Sequence, residues 1–298
     1  MISIPLHAAP TDAWYTWHLH PDVIVLCAGL LVAYWYAVSV WRPHLIDAGR
    51  VKRRQVAYFC AGVGVIYIAG GTPIHDLSEN WLLSAHMLQH LLFSLVAAPL
   101  LLAGVPTWLW EALLLRKIVL PVARVVLHPL VAIGFFNAVI VLTHLPESMD
   151  FTLNHHWFHF FVHILIVSSS LMMWFPVMTN VPKLPHLTYQ FQMAYLFVQS
   201  LIPSVVASFI TFSSSPVYSF YEQAPRLWGL SAVEDQQLGA FVMKIVGSLI
   251  LWSFIGVAFF KWYTREQAED KGLAMAEVED ELREMGLTLS EQRRPRLR

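Results

Sequence analysis

Residues 81–105 read WLLSAHMLQHLLFSLVAAPLLLAGV, an apolar run that is long enough to cross a bilayer as a helix, which takes about 20 residues. The run contains no acidic residue, lysine or arginine, but it includes His86 and His90. A spacing of four places both imidazoles on one helix face, one turn apart. Ionisable groups at membrane depth are costly and usually face the protein interior, where such a pair can offer two ligands to a metal ion. Alternatively, each histidine forms a hydrogen bond to a neighbouring helix and binds no metal.

The composition indicates an integral membrane protein with several spans. Apolar residues make up 57% and charged residues 13% of the 298-residue chain, whereas soluble domains have about 45–50% and about 25%. The net charge of −1 provides no basic surface for nucleic acid. We therefore expect an all-α bundle of seven transmembrane helices within residues 1–262, followed by a charged cytoplasmic tail, residues 263–298.

The expected spans follow the apolar runs of the chain. Their approximate ranges are 23–41, 55–71, 81–105, 128–145, 155–178, 187–212 and 237–262. The segment 106–121 is also apolar, but it carries Glu111, Arg116 and Lys117. We expect this segment to lie in the membrane interface rather than to cross the bilayer.

Lysine and arginine are concentrated in alternate loops. The loops after the first and third spans contain Arg42, Arg50, Lys52, Arg53, Arg54, Arg116, Lys117 and Arg124. The loops after the second and fourth spans, GTPIHDLSEN and PESMDFTLNHH, contain none. Because positively charged loops stay in the cytoplasm, we expect the N-terminus outside and the C-terminus in the cytoplasm.

With this orientation, most of the fourteen histidines fall on the outer side. They are His7, His18, His20, His75, His86, His90, His144, His155, His156, His159 and His163. Only His44, His128 and His186 fall on the cytoplasmic side. The asymmetry favours a histidine-rich centre near the outer face.

The start of the fifth span, HHWFHFFVH, provides further imidazoles. His155 and His159 form a second pair with a spacing of four, and His159 and His163 lie one turn apart deeper in the span. If spans three and five are neighbours, four imidazoles could meet: those of His86, His90 and His159, with either His155 or His163. Imidazole is a good ligand for copper, zinc, iron and nickel. The alternative is a row of interfacial histidines that reach the headgroups.

The start of the seventh span, VEDQQLGAFVMKI, holds three residues of interest. Asp235 is either a helix N-cap or a ligand at the outer helix start. Met243 is either a thioether ligand for Cu(I) or a packing residue. Lys244 lies inside the span and should have a counter-ion, a carbonyl or an aqueous cavity as partner. The two cysteines, Cys27 and Cys60, are expected at opposite depths, so no thiolate pair is expected.

Several motifs together resemble the CtaG family of cytochrome c oxidase assembly factors. They are HMLQHLL, APLLLAGVP, THLPESMD, the histidine-rich start of span five, and DQQLG followed by Met243. The similarity runs from about Trp17 to Trp262. It implies a seven-helix protein of the bacterial cytoplasmic (inner) membrane with a role in the maturation of haem-copper oxidases. The family-motif positions are His86, Met87, His90, His159, His163, Asp235 and Met243.

Three functions are compatible with these features. The first is a non-enzymatic assembly factor that binds a copper ion, accepts it from a periplasmic donor and helps to load a haem-copper oxidase subunit. The second is a membrane haem protein with bis-histidine ligation between spans three and five. The third is a metal-free scaffold subunit whose histidines sense pH or line a polar cavity. No Ser-His-Asp pattern or HExxH motif supports an enzyme.

Overall fold

The computed structural model describes residues 18–42 and 49–284. His7, His44 and the end of the tail, residues 285–298, lie outside these ranges. The described residues form helices and connecting loops without a β-strand. The helices are α1 (Pro21–Trp41), α2 (Arg53–Gly70), α3 (Pro73–Asn80), α4 (Leu83–Gly104), α5 (Thr107–Leu114), α6 (Val119–Val126), α7 (Pro129–Thr143), α8 (Pro146–Leu153), α9 (His156–Met178), α10 (Tyr189–Phe212), α11 (Ser219–Gln223) and α12 (residues 232–284).

Five of these helices are individually long and apolar enough to cross a membrane: α1, α4, α9, α10 and α12. The number rises to seven if α2 with α3, and α6 with α7, each count as one bent span. The bends are 44° and 66°, respectively. An all-helical membrane protein is therefore confirmed, and the described residues contain five to seven candidate spans.

Two segments differ from the expected boundaries. The 106–121 segment forms α5 and the start of α6, which are joined by a turn that carries the exposed Lys117. Helix α12 begins at Ala232 and continues to Glu284, well past the expected end of the span at residue 262. No proline interrupts this stretch, and Arg265 pairs with Glu269 one turn on, at 2.8 Å. The first part of the tail is therefore a continuation of the last helix.

Helix α4 lies at the centre of the bundle. In its most apolar window 67% of the residues are buried, against 17% in α1 and in α12. It packs against α2, α3, α9 and α12. In contrast, α10 presents large apolar side chains outward, such as Phe209 and Phe212, which are 77% and 81% exposed. Such an exposed apolar surface requires lipid around it. Of the five long helices, α4 has the largest buried share and is therefore the best shielded from lipid.

Close approach to α4 depends on small residues. At Gly104, a Cβ atom would lie only 2.5 Å from the backbone nitrogen of Phe59 on α2. At Gly239 on α12, it would lie 3.2 Å from the backbone of Ser84. Small residues at helix contacts let two backbones approach closely in a membrane. These two contacts fix α2 and α12 against opposite ends of α4.

Candidate metal centre

Asp235 on α12 holds the N-terminus of α4, although about 150 residues separate it from that helix in the sequence. Its two carboxylate oxygens accept hydrogen bonds from the backbone N–H of Leu83, at 2.7 Å, and of Ser84, at 3.2 Å. The Ser84 hydroxyl donates a third, at 2.5 Å. The cap of α12 itself is Ser231. The alternative that Asp235 caps its own helix is therefore wrong, because it binds the first backbone amides of α4 instead.

Three imidazoles meet just below this cap, where α4 contacts α9. One nitrogen from each of His86, His90 and His159 lies within 4.8 Å of the others. The ring centroids of His86 and His159 are 5.4 Å apart, and their planes differ by only 4°. All three side chains are buried. The third and fifth spans are therefore neighbours, which is the condition under which their imidazoles could meet.

His163 extends the group by one turn of α9. Its ring lies 4.2 Å from that of His159 and 5.6 Å from that of His90, between centroids. His144, at the end of α7, lies 5.8 Å from His90 on the other side. We refer to His86, His90, His159 and His163 as the imidazole cluster.

Five of the eight ring nitrogens of the imidazole cluster are buried without a hydrogen-bond partner. The unpartnered buried atoms are His86 Nδ1, both ring nitrogens of His90, His159 Nε2 and His163 Nε2. Leaving a buried polar atom unpaired costs about 1–3 kcal/mol. One nitrogen from each of His86, His90 and His159 lies within 4.8 Å of the others, so a single bound ion would contact three of these histidines together. A metal ion is the ligand that suits a set of nitrogen lone pairs, so the side chains present fit a metal ion.

Glu79 at the end of α3 orients His159. Its Oε1 atom lies 2.6 Å from His159 Nδ1 and 3.2 Å from His75 Nε2. A carboxylate that accepts the Nδ1 proton leaves Nε2 of His159 free to bind a metal, which is the usual arrangement behind a metal-binding histidine. Sequence reasoning missed Glu79 because it placed the residue in a loop. An acidic residue shortly before the histidine helix was the available signal.

Gln89 fixes α3 against α4. Its amide nitrogen lies 2.8 Å from the Ala69 carbonyl oxygen and 2.9 Å from His75 Nδ1. Its amide oxygen accepts a 2.9 Å hydrogen bond from the Ser78 hydroxyl. Gln89 is fully buried. Sequence reasoning missed this residue too, although an amide between two histidines of an apolar run is itself a sign of a buried polar network.

The segment that contains α11 covers the imidazole cluster. The Tyr221 hydroxyl donates a 2.6 Å hydrogen bond to the Ser78 carbonyl oxygen, and its ring lies 6.2 Å from that of His86. The Tyr218 hydroxyl donates to the His144 carbonyl oxygen at 3.0 Å. These two bonds hold the covering segment to α3 and α7.

Other candidate ligands lie outside the imidazole cluster. His155 is exposed, stacks on Phe151 and bonds to its carbonyl oxygen. Of the two pairings considered for the fourth imidazole, the structure therefore brings His163 rather than His155 to the group. Met87 and Met243 line a cavity of about 60 Å³ on the far side of His90. Lys244 donates a 3.0 Å hydrogen bond to the Ser208 hydroxyl, so its partner is a side chain of α10.

The comparisons with known proteins give one match. A model of the family described as cytochrome c oxidase caa3 assembly factor (Caa3_CtaG) matches residues 32–265, which is most of the chain. No curated protein and no solved structure matches.

Proposed function

The chain belongs to the family of cytochrome c oxidase caa3 assembly factors, and on this premise we propose that it carries a copper ion to a haem-copper oxidase subunit. The copper ion is cargo: the imidazole cluster accepts it from a periplasmic donor and releases it to the oxidase. The family's description names assembly, so we assign the protein no catalytic role.

The observation that carries this proposal is the set of five unpartnered imidazole nitrogens at the centre of the bundle. Three histidines from two helices already lie within 4.8 Å of one another. Glu79 orients His159 through a hydrogen bond to Nδ1, as carboxylates commonly do behind metal-binding histidines. Imidazole ligands bind copper well, and without a thiolate pair the ion can still leave. Cys27 contributes nothing here, since its thiol faces the Val63 carbonyl oxygen.

The proposal includes an orientation in the bacterial cytoplasmic membrane. Ring contacts join His20 to His75 and His75 to His159. The start of α1 therefore lies at the same end of the bundle as the starts of α4 and α9. The opposite end carries Arg53 at the start of α2, and Arg116 and Lys117 in the turn between α5 and α6. By the positive-inside rule, the imidazole cluster then lies near the periplasmic face, where a copper donor can reach it.

The haem alternative receives less support from the geometry. Among the described residues, a cavity of about 60 Å³ lies beside His90 and another of about 200 Å³ lies beside His163. Pockets for cofactors and other organic ligands typically enclose about 300–1,000 Å³. A single ion needs far less space, so the spaces available favour a metal ion.

Metal analysis of the purified protein tests the proposal. The wild type, after incubation with copper and desalting, should hold about one copper per chain with no Soret band, because the ligand set offers one shared site. A His86→Ala/His90→Ala double variant should lose that copper, whereas His155→Ala should keep it. A strong Soret band would favour the haem protein instead. No metal in any sample, with full oxidase maturation by the double variant in cells, would favour a scaffold.

A further inference from the structure

A second group of metal-ligating side chains lies at the same end of the bundle. His18 and His20, which precede α1, both approach Oδ1 of Asp76 on α3: His18 Nδ1 at 3.2 Å and His20 Nε2 at 3.5 Å. We call these three residues the portal cluster. None of them belongs to the imidazole cluster, and the family motifs quoted above do not include them.

The portal cluster contains an unsatisfied buried atom. The second oxygen of Asp76, Oδ2, is buried without a hydrogen-bond partner. The Asp76 side chain is only 8% exposed. A buried carboxylate oxygen without a donor is costly, and a bound cation would relieve that cost. Two imidazoles and a carboxylate provide the mixed nitrogen and oxygen ligands that Cu²⁺ accepts.

The portal cluster is connected to the imidazole cluster by ring contacts. The ring centroid of His20 lies 4.5 Å from that of His75, and His75 lies 6.1 Å from His159. Glu79 bridges the last two through one oxygen. No step along this row exceeds 6.1 Å between ring centroids, and an ion that passes His75 would replace the contacts of that ring with Gln89 and Glu79.

Exposure falls along the histidines and Asp76 of this row, although Glu79 beside them is 21% exposed. The side chains of His18, His20, Asp76, His75 and His159 are 47%, 12%, 8%, 5% and 2% exposed, respectively. The row therefore leads from water to the buried centre. Tyr221 and its segment cover the imidazole cluster from another side.

From these observations we propose that the portal cluster is a transient receiving site, through which a copper ion enters and leaves the imidazole cluster. This proposal depends on the proposed copper-carrying function. The ion moves as Cu²⁺ by ligand exchange, so neither its charge nor its oxidation state changes. His75 and Glu79 line the path between the two clusters.

Loading kinetics test the portal cluster. The full-length protein in detergent is mixed with Cu²⁺ in a stopped-flow instrument, and quenching of tryptophan fluorescence gives the loading rate. The variants are Asp76→Asn, which removes the charge at constant shape, and His20→Ala. We expect Asp76→Asn to load about tenfold more slowly or worse, because a fixed negative charge at a narrow site raises local cation concentration by about that factor or more. His20→Ala should also load about tenfold more slowly, because it removes an imidazole ligand of the receiving site. Release to a chelator should slow by the same factor, so the copper content at equilibrium stays that of the wild type.

Matched controls remove a similar group from the same end of the bundle. Glu147→Gln removes an exposed carboxylate of α8, and His155→Ala removes an exposed imidazole. Both should load at the wild-type rate.

The outcomes separate the portal from the copper-carrying function. Wild-type rates in both portal variants, with normal copper content, would overturn the portal and leave the carrier function in place. Loss of equilibrium copper in either variant would also overturn the portal, since it would place these residues in the resting site. A wild type that binds no copper would overturn the carrier function, and the portal with it.

Discussion

The Glu79 carboxylate accepts a 2.6 Å hydrogen bond from Nδ1 of His159, so a short helix outside the long spans decides which nitrogen of a buried histidine faces the centre. Partners of this kind are worth about 10–100-fold in metal affinity. We therefore expect Glu79→Gln to weaken copper binding by that factor in a competition titration. Glu147→Gln should have no effect. Equal affinities for Glu79→Gln and the wild type would show that the contact does not position a ligand.

The unpartnered nitrogens predict a trade between stability and metal binding. His90 has two buried nitrogens without partners, so His90→Leu should raise the free energy of unfolding of the copper-free protein by about 1–3 kcal/mol. The same variant should lose most of the increase in Tm that copper gives the wild type. Thermal unfolding with and without copper measures both effects.

The control for that experiment is the preceding residue. Gln89 is also buried on α4, but its amide forms hydrogen bonds on both sides, so Gln89→Leu should destabilise the protein. If His90→Leu destabilises it equally, the unpaired nitrogens of His90 carry no strain that a ligand could relieve.

Asp235 can be assigned as a cap or a ligand by experiment. Loss of a helix cap typically costs about 0.5–2 kcal/mol, so Asp235→Ala should destabilise the protein by about that amount and speed hydrogen exchange at the start of α4. As a cap, it should leave about one copper per chain at saturating copper. The exposed Glu234→Gln should change stability less. A loss of copper from Asp235→Ala at saturation would make Asp235 a ligand instead.

The contact between His20 and Asp76 makes stability depend on pH. The Asp76 carboxylate raises the pKa of His20 above its usual 6.5, although partial burial works against the shift, and Glu79 and Asp22 raise it further. Because the folded pKa is raised, the stabilisation is complete below about pH 6.5 and is lost as pH rises through the folded pKa. In the copper-free protein, the wild type should exceed His20→Gln in stability most at pH 6, and the difference should shrink towards pH 9. A difference that grows with pH would contradict the contact.

Long spans and their histidine spacing were predictable from the chain. The apolar run around His86 and His90 needs only helix geometry to bring these two side chains to one face, and the same holds for His159 and His163. Helices α2 and α7 were also expected as spans, although in the structure each is long and apolar enough to cross a membrane only together with a bent neighbour.

Residues whose roles depend on another helix were harder to predict. The segment with His75 and Glu79 was expected to be a loop, and Gln89 was expected on an apolar helix. Nothing local shows that α3 folds back onto α4, where these three residues meet. Asp235 has the right type for a cap at the start of its own helix, where Ser231 takes that role instead. His155 has the spacing of a ligand but sits one residue before α9, where it turns outward onto Phe151.

The sequence by itself determined that this chain is a helical membrane protein and that two of its helices each carry a face with paired imidazoles, because hydropathy and helical periodicity are local properties. Only the tertiary structure decided that those two faces meet, that Glu79 orients His159, and that Asp235 holds the start of α4. The physical reason is that these contacts join residues far apart in the chain. Their geometry is set by close helix packing at positions such as Gly104 and Gly239, which no local pattern encodes.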